Sequence, residues 1–313
     1  MNGRNGSITF ERGELDSYYG RPILKEPVWK PEIPFYFFTG GLAGASAVLS
    51  LAARAAGNEC LARTSLWIGL GAEVVSPALL VSDLGRPERF LNMLRVFKVT
   101  SPMSVGSWIL AGSGASTTAE AACELLGIFP RLKLVPATAS ALLGAPLATY
   151  TATLVSDTAI PVWHEARREL PFVFASSAAA SAGAAAAMLV PPRDARPARR
   201  LAVAGAVAEN ATFELMAKRL GFVGEPYRQG AAGKLSAAAK GATLAGAWLL
   251  GRRGRRSRGA AVAGGALVLA GELALRWSVF RAGFQSARDP KYVVQPQRAR
   301  RAAASSNGDM PGV

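Results

Sequence analysis

Apolar residues along this chain come in long continuous runs rather than in the short periodic stripes of a soluble amphipathic helix. A helix of roughly 20 residues rises about 30 Å, which matches the hydrocarbon core of a bilayer. Short polar, Arg-rich or Pro-rich joints separate the runs. The pattern therefore predicts an all-α integral membrane protein, a bundle of about eight transmembrane helices. The predicted spans are residues 34–55, 62–82, 102–126, 132–156, 170–190, 200–217, 235–251 and 259–282.

Polar segments flank these spans and divide the chain into three parts. Residues 1–33 are predicted to form a polar N-terminal arm, because closely spaced prolines there disfavour helix. Residues 34–282 form the predicted eight-helix transmembrane domain. Residues 283–313 form a polar C-terminal tail that we expect to be disordered beyond about residue 296. The first apolar run is interpreted as a span rather than a cleaved leader, since a polar segment precedes it.

An even number of spans places both termini on one side of the membrane, together with loops 83–101, 157–169 and 218–234. We call this side the site face. It holds more Lys and Arg than the other side, which by the positive-inside rule favours a multi-pass protein of the cell membrane with a cytoplasmic site face. The basic residues lie in the joints, so the net charge of +15 indicates a lipid membrane as partner and no nucleic acid. One loop of the other side favours the reverse orientation; it contains Arg252, Arg253, Arg255, Arg256 and Arg258.

Few residues in the chain are able to bind a redox metal. The chain has one histidine, His164, and two cysteines, Cys60 and Cys123, which lack the CxxC spacing. A b-type haem in a helical bundle usually needs two axial histidines, and an iron–sulfur cluster needs several cysteines. The sequence therefore predicts no haem and no metal in this chain. Redox chemistry would require a diffusible membrane cofactor or a metal-bearing partner.

Carboxylates inside the predicted spans are candidates for proton transfer, because a charge in hydrocarbon is costly and such residues face the bundle interior or water. Glu73 lies near the middle of the second span, and Glu120 and Glu124 lie one turn apart in the third. The alternative interpretation is that these acids only join helices or are protonated near a span end. The later spans contain further acids and two possible basic partners: Glu209, Glu214, Glu272, Lys240 and Arg276.

Two stretches at the site face contain polar residues directly beside a span. In the first, Asp83 ends the second span, and its carboxylate could pair with Arg86. In the second, Tyr150 lies about two turns before Asp157, and His164 follows beyond a proline and a tryptophan. A quinone requires hydrogen-bond partners for its two carbonyl oxygens, an apolar slot and a proton route, which these residue types can supply. A surface ion pair and an interfacial aromatic belt remain the alternatives on the residues alone.

In this order, four segments resemble the NrfD family, the membrane subunit of polysulfide reductase-type complexes. They are WKPEIP at 29–34 running into FFTGGLAG at 37–44, DLGRP at 83–87, SPMSVGSW at 101–108, and the stretch 150–163 that ends in PVW. The resemblance covers most of residues 25–190 and fades over 195–313.

The resemblance implies a membrane anchor that reacts with quinol or quinone and exchanges electrons with an iron–sulfur electron-transfer subunit. That partner would in turn serve a molybdenum- or tungsten-pterin catalytic subunit, so the substrate chemistry would lie in another chain. The diffusible cofactor would be menaquinone or ubiquinone. A small-solute or ion transporter is the alternative function, and an assembly scaffold that has lost its quinone site is a third; no inverted repeat supports transport.

The resemblance implies quinone-binding roles for residues at the site face, whereas the candidates for proton transfer come from the positions of acids inside the spans. Some family members use a histidine in the first span at the quinone, whereas this chain has none there, so His164 is the candidate substitute. The candidate quinone-binding residues are Asp83, Arg86, Tyr150, Asp157, His164, Tyr36 and Thr39, and the candidates for proton transfer are Glu73, Glu120 and Glu124.

Overall fold

The structure, a computed structural model, describes residues 23–84, 86–127 and 133–306; the side chains of Pro87 and of residues 300–306 are not part of this description. Most of the predicted N-terminal arm, Gly85 of the DLGRP segment and the end of the predicted tail therefore lie outside the described residues.

Helices account for all the regular structure of the described residues, which confirms the all-α prediction. Eight of them are long, and each corresponds to one predicted span. Three 3₁₀ turns lie at Pro87–Leu94, Ala166–Arg168 and Glu225–Tyr227. The helices are α1 (Glu32–Ala55), α2 (Glu59–Asp83), α3 (Pro102–Leu126), α4 (Leu134–Ser156), α5 (Pro161–Glu165), α6 (Leu170–Leu189), α7 (Arg196–Leu220), α8 (Gly230–Arg252), α9 (Arg258–Arg288) and α10 (Lys291–Ser306).

Capping residues in the joints explain where several helices begin and end. Asn58, Ser101 and Ser257 each accept a hydrogen bond from a backbone N–H in the first turn of α2, α3 and α9. Pro102 follows Ser101 at the first helical position, where a missing N–H costs nothing. At the other end of α3, Gly127 has a φ of 62°, a left-handed conformation that favours glycine.

Within the described residues, four helices are long and apolar enough to cross a membrane by length and composition: α1, α2, α6 and α9. The other long helices of the described chain are less apolar for different reasons: α4 has no charged residue but several threonines and serines, whereas α7 is rich in charges. Helix α7 contains Arg196, Arg199, Glu209 and Glu214. These helices pack beside the apolar ones, so together the eight long helices of the described chain form the predicted membrane bundle.

The bundle consists of two four-helix units. In unit one, α1 packs against α2 and α4, and α3 packs against α4. Unit two repeats these contacts, since α6 packs against α7 and α9, and α8 packs against α9. Both units begin at the site face and α1 packs against α6, so the two units run in the same direction.

The structure has helix beyond residue 282, where the last predicted span ends. Helix α9 continues to Arg288 rather than ending at 282, and α10 occupies a segment that was expected to be disordered beyond about 296. Contacts distant in sequence stabilise both segments. Gly283 packs against the Trp163 ring, and the Glu225 carboxylate accepts a hydrogen bond from the Tyr292 hydroxyl at 2.9 Å and pairs with Lys291 Nζ at 2.8 Å.

Candidate functional site

A cleft of about 600 Å³ lies at the site face, between the start of α3, the end of α4 and α5. It brings together three of the seven candidate quinone-binding residues, Tyr150, Asp157 and His164. The remaining wall is partly apolar and partly polar. The lining residues are Val99, Thr100, Pro102, Val105, Tyr150, Thr153, Ser156, Asp157, His164 and Arg167.

Helix α4 positions two of these side chains. Tyr150 and Asp157 are separated by two helical turns, which places them on one side of the helix. The half-buried Tyr150 ring packs directly on Gly106 of α3, where a Cβ would lie 2.0 Å from Tyr150 Cε2. Gly106 is therefore required for the tyrosine to lie against α3. Asp157 follows the last residue of α4 and is exposed in the cleft.

Trp163 holds α5, and hence His164, in place. Its indole is fully buried, donates its N–H to the Val279 carbonyl of α9 at 2.7 Å, and stacks on Trp29 at 5.4 Å between ring centroids. The tryptophan is therefore a structural anchor and does not line the cleft. The neighbouring His164 is exposed and faces the cleft.

Arg167 is a cleft residue that the sequence reasoning missed. It lies one turn after His164 and donates a hydrogen bond to the His164 carbonyl at 3.1 Å. The sequence signal that could have identified Arg167 is its spacing: it follows the only histidine of the chain by three residues, and side chains three apart are neighbours on a helix.

Asp83 and Arg86 lie at the site face but do not line this cleft. Among the described residues, no ion pair joins the two side chains. Asp83 Oδ1 instead accepts a hydrogen bond from the Lys30 backbone N–H at 2.9 Å, and Arg86 is exposed. Asp83 thus connects the N-terminal arm to the end of α2, so the pairing considered from the sequence was wrong.

Tyr36, Thr39 and Glu73 belong to a separate polar group between α1, α2 and α3. The Ser76 hydroxyl donates to Thr39 Oγ1 at 2.8 Å, and the Ser113 hydroxyl donates to Glu73 Oε1 at 2.5 Å. Glu73 and Tyr36 are buried, and neither Glu73 Oε2 nor the Tyr36 hydroxyl has a hydrogen-bond partner within the described chain. Such unpaired polar atoms are costly inside a protein and mark a place where a proton or a water molecule would be stabilised.

Helix α3 connects this polar group to the cleft. Gly106, beside Tyr150, and Ser113, beside Glu73, are separated by two turns on one side of the helix, about 10 Å along its axis. Of the buried acids Glu73 and Glu120, Glu73 therefore lies nearer to the cleft along α3.

Glu120 and Glu124 take part in an ion-pair network at the opposite end of unit one. Arg54 Nη2 lies 3.2 Å from Glu120 Oε1 and 3.6 Å from Glu124 Oε2, and Glu124 also pairs with Arg63 at 2.8 Å and Lys133 at 3.3 Å. The hydroxyl groups of Ser50 and Ser140 donate to Glu120. These contacts give both acids a structural role that needs no proton transfer.

Unit two contains its own buried charges. Glu209 of α7 and Glu272 of α9 lie within hydrogen-bonding reach of each other, and Ser177 donates to Glu272 Oε2 at 2.5 Å. Arg276 lies close to both acids, packs over the Phe174 ring at 3.7 Å and donates to the Phe174 carbonyl. The cluster therefore places one guanidinium beside two carboxyl groups that lie within hydrogen-bonding reach of each other in the interior.

A family model described as polysulphide reductase, NrfD, matches residues 24–222. The matched segment includes every residue that lines the cleft, together with Glu73. No match to a curated protein was found.

Proposed function

The chain belongs to the NrfD polysulphide reductase family, membrane subunits of oxidoreductase complexes, and we propose that it is the subunit that reacts with quinol or quinone in such a complex. The observation that carries this proposal is the cleft at the site face, which places Tyr150, Asp157 and His164 around one space.

The lining of the cleft fits a quinone headgroup. Val99, Pro102 and Val105 give an apolar wall for a flat ring, and the phenol, carboxylate and imidazole give donors and acceptors for its two oxygens. The cleft opens where α3 begins and α4 ends, which is the level at which an isoprenoid quinone would enter from the bilayer.

Quinol oxidation releases two electrons and two protons. In the proposed reaction, the Tyr150 hydroxyl orients one quinol oxygen, and Asp157 and His164 accept the two protons and pass them to water, while the two electrons go to the partner subunit. Arg167 stabilises the negative charge that a deprotonating oxygen develops. Menaquinol and ubiquinol both satisfy this chemistry, and quinone reduction would use the same groups in reverse.

Protons can leave the cleft in two ways. The exposed Asp157 and His164 reach water directly. Glu73 of α2 is a buried acceptor that lies beside Ser113, two turns farther along α3 than the cleft. We propose Glu73 as the main proton carrier of the interior, because one of its carboxylate oxygens has no hydrogen-bond partner in the described chain. Glu120 and Glu124 stay weaker candidates because arginine and lysine already pair with them.

The proposed electron acceptor is an iron–sulfur subunit docked on the site face and connected to a molybdenum- or tungsten-pterin subunit. Four exposed arginines of the site face, Arg86, Arg89, Arg167 and Arg168, give this face a basic surface for an acidic partner. We further propose the cell membrane as the location, with this face in the cytoplasm.

The test uses the complex purified from its native membrane. Asp157→Asn and Tyr150→Phe keep side-chain volume but remove the proton acceptor or the hydroxyl. We expect Asp157→Asn to lower kcat/KM for a soluble quinol analogue roughly 100-fold, the usual contribution of a general base. Asp194→Asn is the matched control, because it removes the same charge at the opposite face, where Asp194 pairs only with its neighbour Arg193 within the described chain.

Co-purification of the partner subunits must be unchanged in every variant. Wild-type quinol oxidation by both cleft variants would refute the proposed site. Ion flux through the isolated chain in liposomes, without any partner subunit, would instead support the transporter alternative.

A further inference from the structure

A second cleft, of about 630 Å³, lies at the end of the bundle opposite the site face, between α7 and the end of α8. Four arginines form one part of its wall, and small or branched apolar residues along α7 form the rest. We call it the arginine cleft. Its lining residues are Arg196, Arg199, Arg200, Val203, Ala204, Val207, Ala208, Gly251 and Arg255.

The charges of the arginine cleft are not balanced by the protein. No ion pair in the described part of the chain involves Arg196, Arg199, Arg200 or Arg255, and no acidic residue lines the cleft. Arg199 is buried and donates to the Pro192 carbonyl at 2.9 Å, close enough to Arg196 and Arg255 for their charges to repel. Like charges held together in this way are stabilised by an anion.

The apolar wall shows what kind of anion fits. Val203 and Val207 follow the arginines by one and two turns along α7, and Val207 is 56% exposed on the surface of the bundle. A small hydrophilic anion would gain nothing from these side chains, whereas the acyl chains of a lipid would cover them. The neighbouring Trp248 is also exposed, as is usual for aromatic residues at the level of lipid headgroups.

We propose that the arginine cleft binds one anionic phospholipid. Its phosphate groups contact Arg196, Arg200 and Arg255, and its acyl chains lie along the valines of α7. Arginine pairs well with phosphate oxygens, and a headgroup with two phosphates matches the charge of four arginines better than a single phosphate does, so the cleft favours diphosphatidylglycerol. The lipid would join α7 to the α8–α9 loop in unit two, far from the quinone cleft.

Two double variants of equal charge separate a defined site from general attraction to the membrane surface. Arg200→Gln with Arg255→Gln removes two lining residues. Arg252→Gln with Arg256→Gln removes two exposed arginines, one at the end of α8 and one in the loop after it, that do not line the cleft. A third variant, Gly251→Leu, fills the cleft without a change in charge, since a Cβ at this position already contacts Val203 at 3.6 Å.

The measurement is native mass spectrometry of the full chain, released from detergent micelles that contain equal amounts of diphosphatidylglycerol and phosphatidylcholine. We expect one diphosphatidylglycerol per chain in the wild type. Binding should weaken at least about tenfold in the lining double variant, which corresponds to the loss of one charge-assisted hydrogen bond. The Gly251→Leu variant should lose the lipid as well, and the exposed double variant should keep it.

Three results would overturn the proposal. Equal loss in both double variants would show diffuse surface attraction. Retention by Gly251→Leu would place the lipid elsewhere. Displacement of the lipid by millimolar inorganic phosphate alone would show a site for free anions. The wild-type comparison between the two lipids needs no variant, so poor folding of a variant would still leave the proposal testable.

Discussion

Helices α1 and α4 touch through their backbones, and this contact gives a sharp prediction about two glycines of α1. A Cβ on Gly44 would lie 2.2 Å from the Gly144 carbonyl oxygen and 2.9 Å from the Ala148 nitrogen. A Cβ on Gly40 would meet only Tyr36, one turn earlier in its own helix, at 3.9 Å. The spacing of the two glycines suggests one small-residue face, but only Gly44 is required for close helix packing.

The expected cost of Gly44→Ala follows from this geometry. An ordinary contact between a methyl group and a carbonyl oxygen is about 3.5 Å, so the two helices must separate by roughly 1 Å. Overpacking of this kind costs about 1–3 kcal/mol, and the upper value applies because backbone atoms cannot rotate away. Replacing a helical glycine by alanine returns up to about 1 kcal/mol. The net destabilisation is about 2 kcal/mol, whereas Gly40→Ala should be neutral or slightly stabilising.

The assay is thermal unfolding in detergent, followed as the loss of monodisperse protein in size-exclusion chromatography after heating. For a domain of this size, about 2 kcal/mol lowers the midpoint by roughly 4–8 °C. Gly144→Ala should show a similar loss, because a Cβ there would lie 2.6 Å from the Gly44 carbonyl oxygen. A midpoint for Gly44→Ala equal to that of Gly40→Ala would refute the reasoning.

Three further predictions follow from the buried and capping contacts. Arg276→Met should destabilise the protein by about 3–5 kcal/mol in chemical unfolding, because the buried Glu209 and Glu272 lose the guanidinium that lies beside them in the described chain. Asp83→Ala should speed proteolysis of the N-terminal arm, whereas Asp83→Asn, which can still accept the Lys30 N–H, should not. Lys291 and then Tyr292 donate hydrogen bonds to Glu225 and hold its pKa below the usual range. The ion pair and the hydrogen bond that join Glu225 to α10 are therefore fully present above the ordinary Glu pKa. They are lost as Glu225 becomes protonated, so hydrogen exchange of the α10 backbone should speed up as the pH falls below about 4.

The helices were predictable because their signals are local. Long apolar runs set the number of spans, and N-cap residues such as Asn58 and Ser101 mark where the next helix begins. Helix α10 was not predictable from local signals. Its sequence is polar and contains Pro296, and the contacts that hold it involve Glu225, which lies far away in the chain.

The candidate site was predictable only in part, for a related reason. Tyr150 and Asp157 share one helix, so their seven-residue spacing was enough to place them on one side of it. The spacing does not say which neighbouring helix this side of α4 packs against. That depends on residues such as Gly106 of α3, which has no side chain and so leaves room for the Tyr150 ring. Tyr36 and Thr39 were assigned to the same site, yet they lie with Glu73 in a polar group between α1 and α2.

The segment that matches the family ends at residue 222, but the position of the candidate site depends on a helix beyond that limit. Trp163 holds α5 by donating its indole N–H to Val279 of α9, and a Cβ on Gly283 would lie 2.0 Å from the Trp163 ring. Because α9 provides both the acceptor and the space, a chain cut after α7 would lose the contact that fixes α5. The exposed His164, one residue after the tryptophan, would then lose its position in the cleft. Unit two is therefore part of the quinone site that we propose, although its residues do not line the cleft.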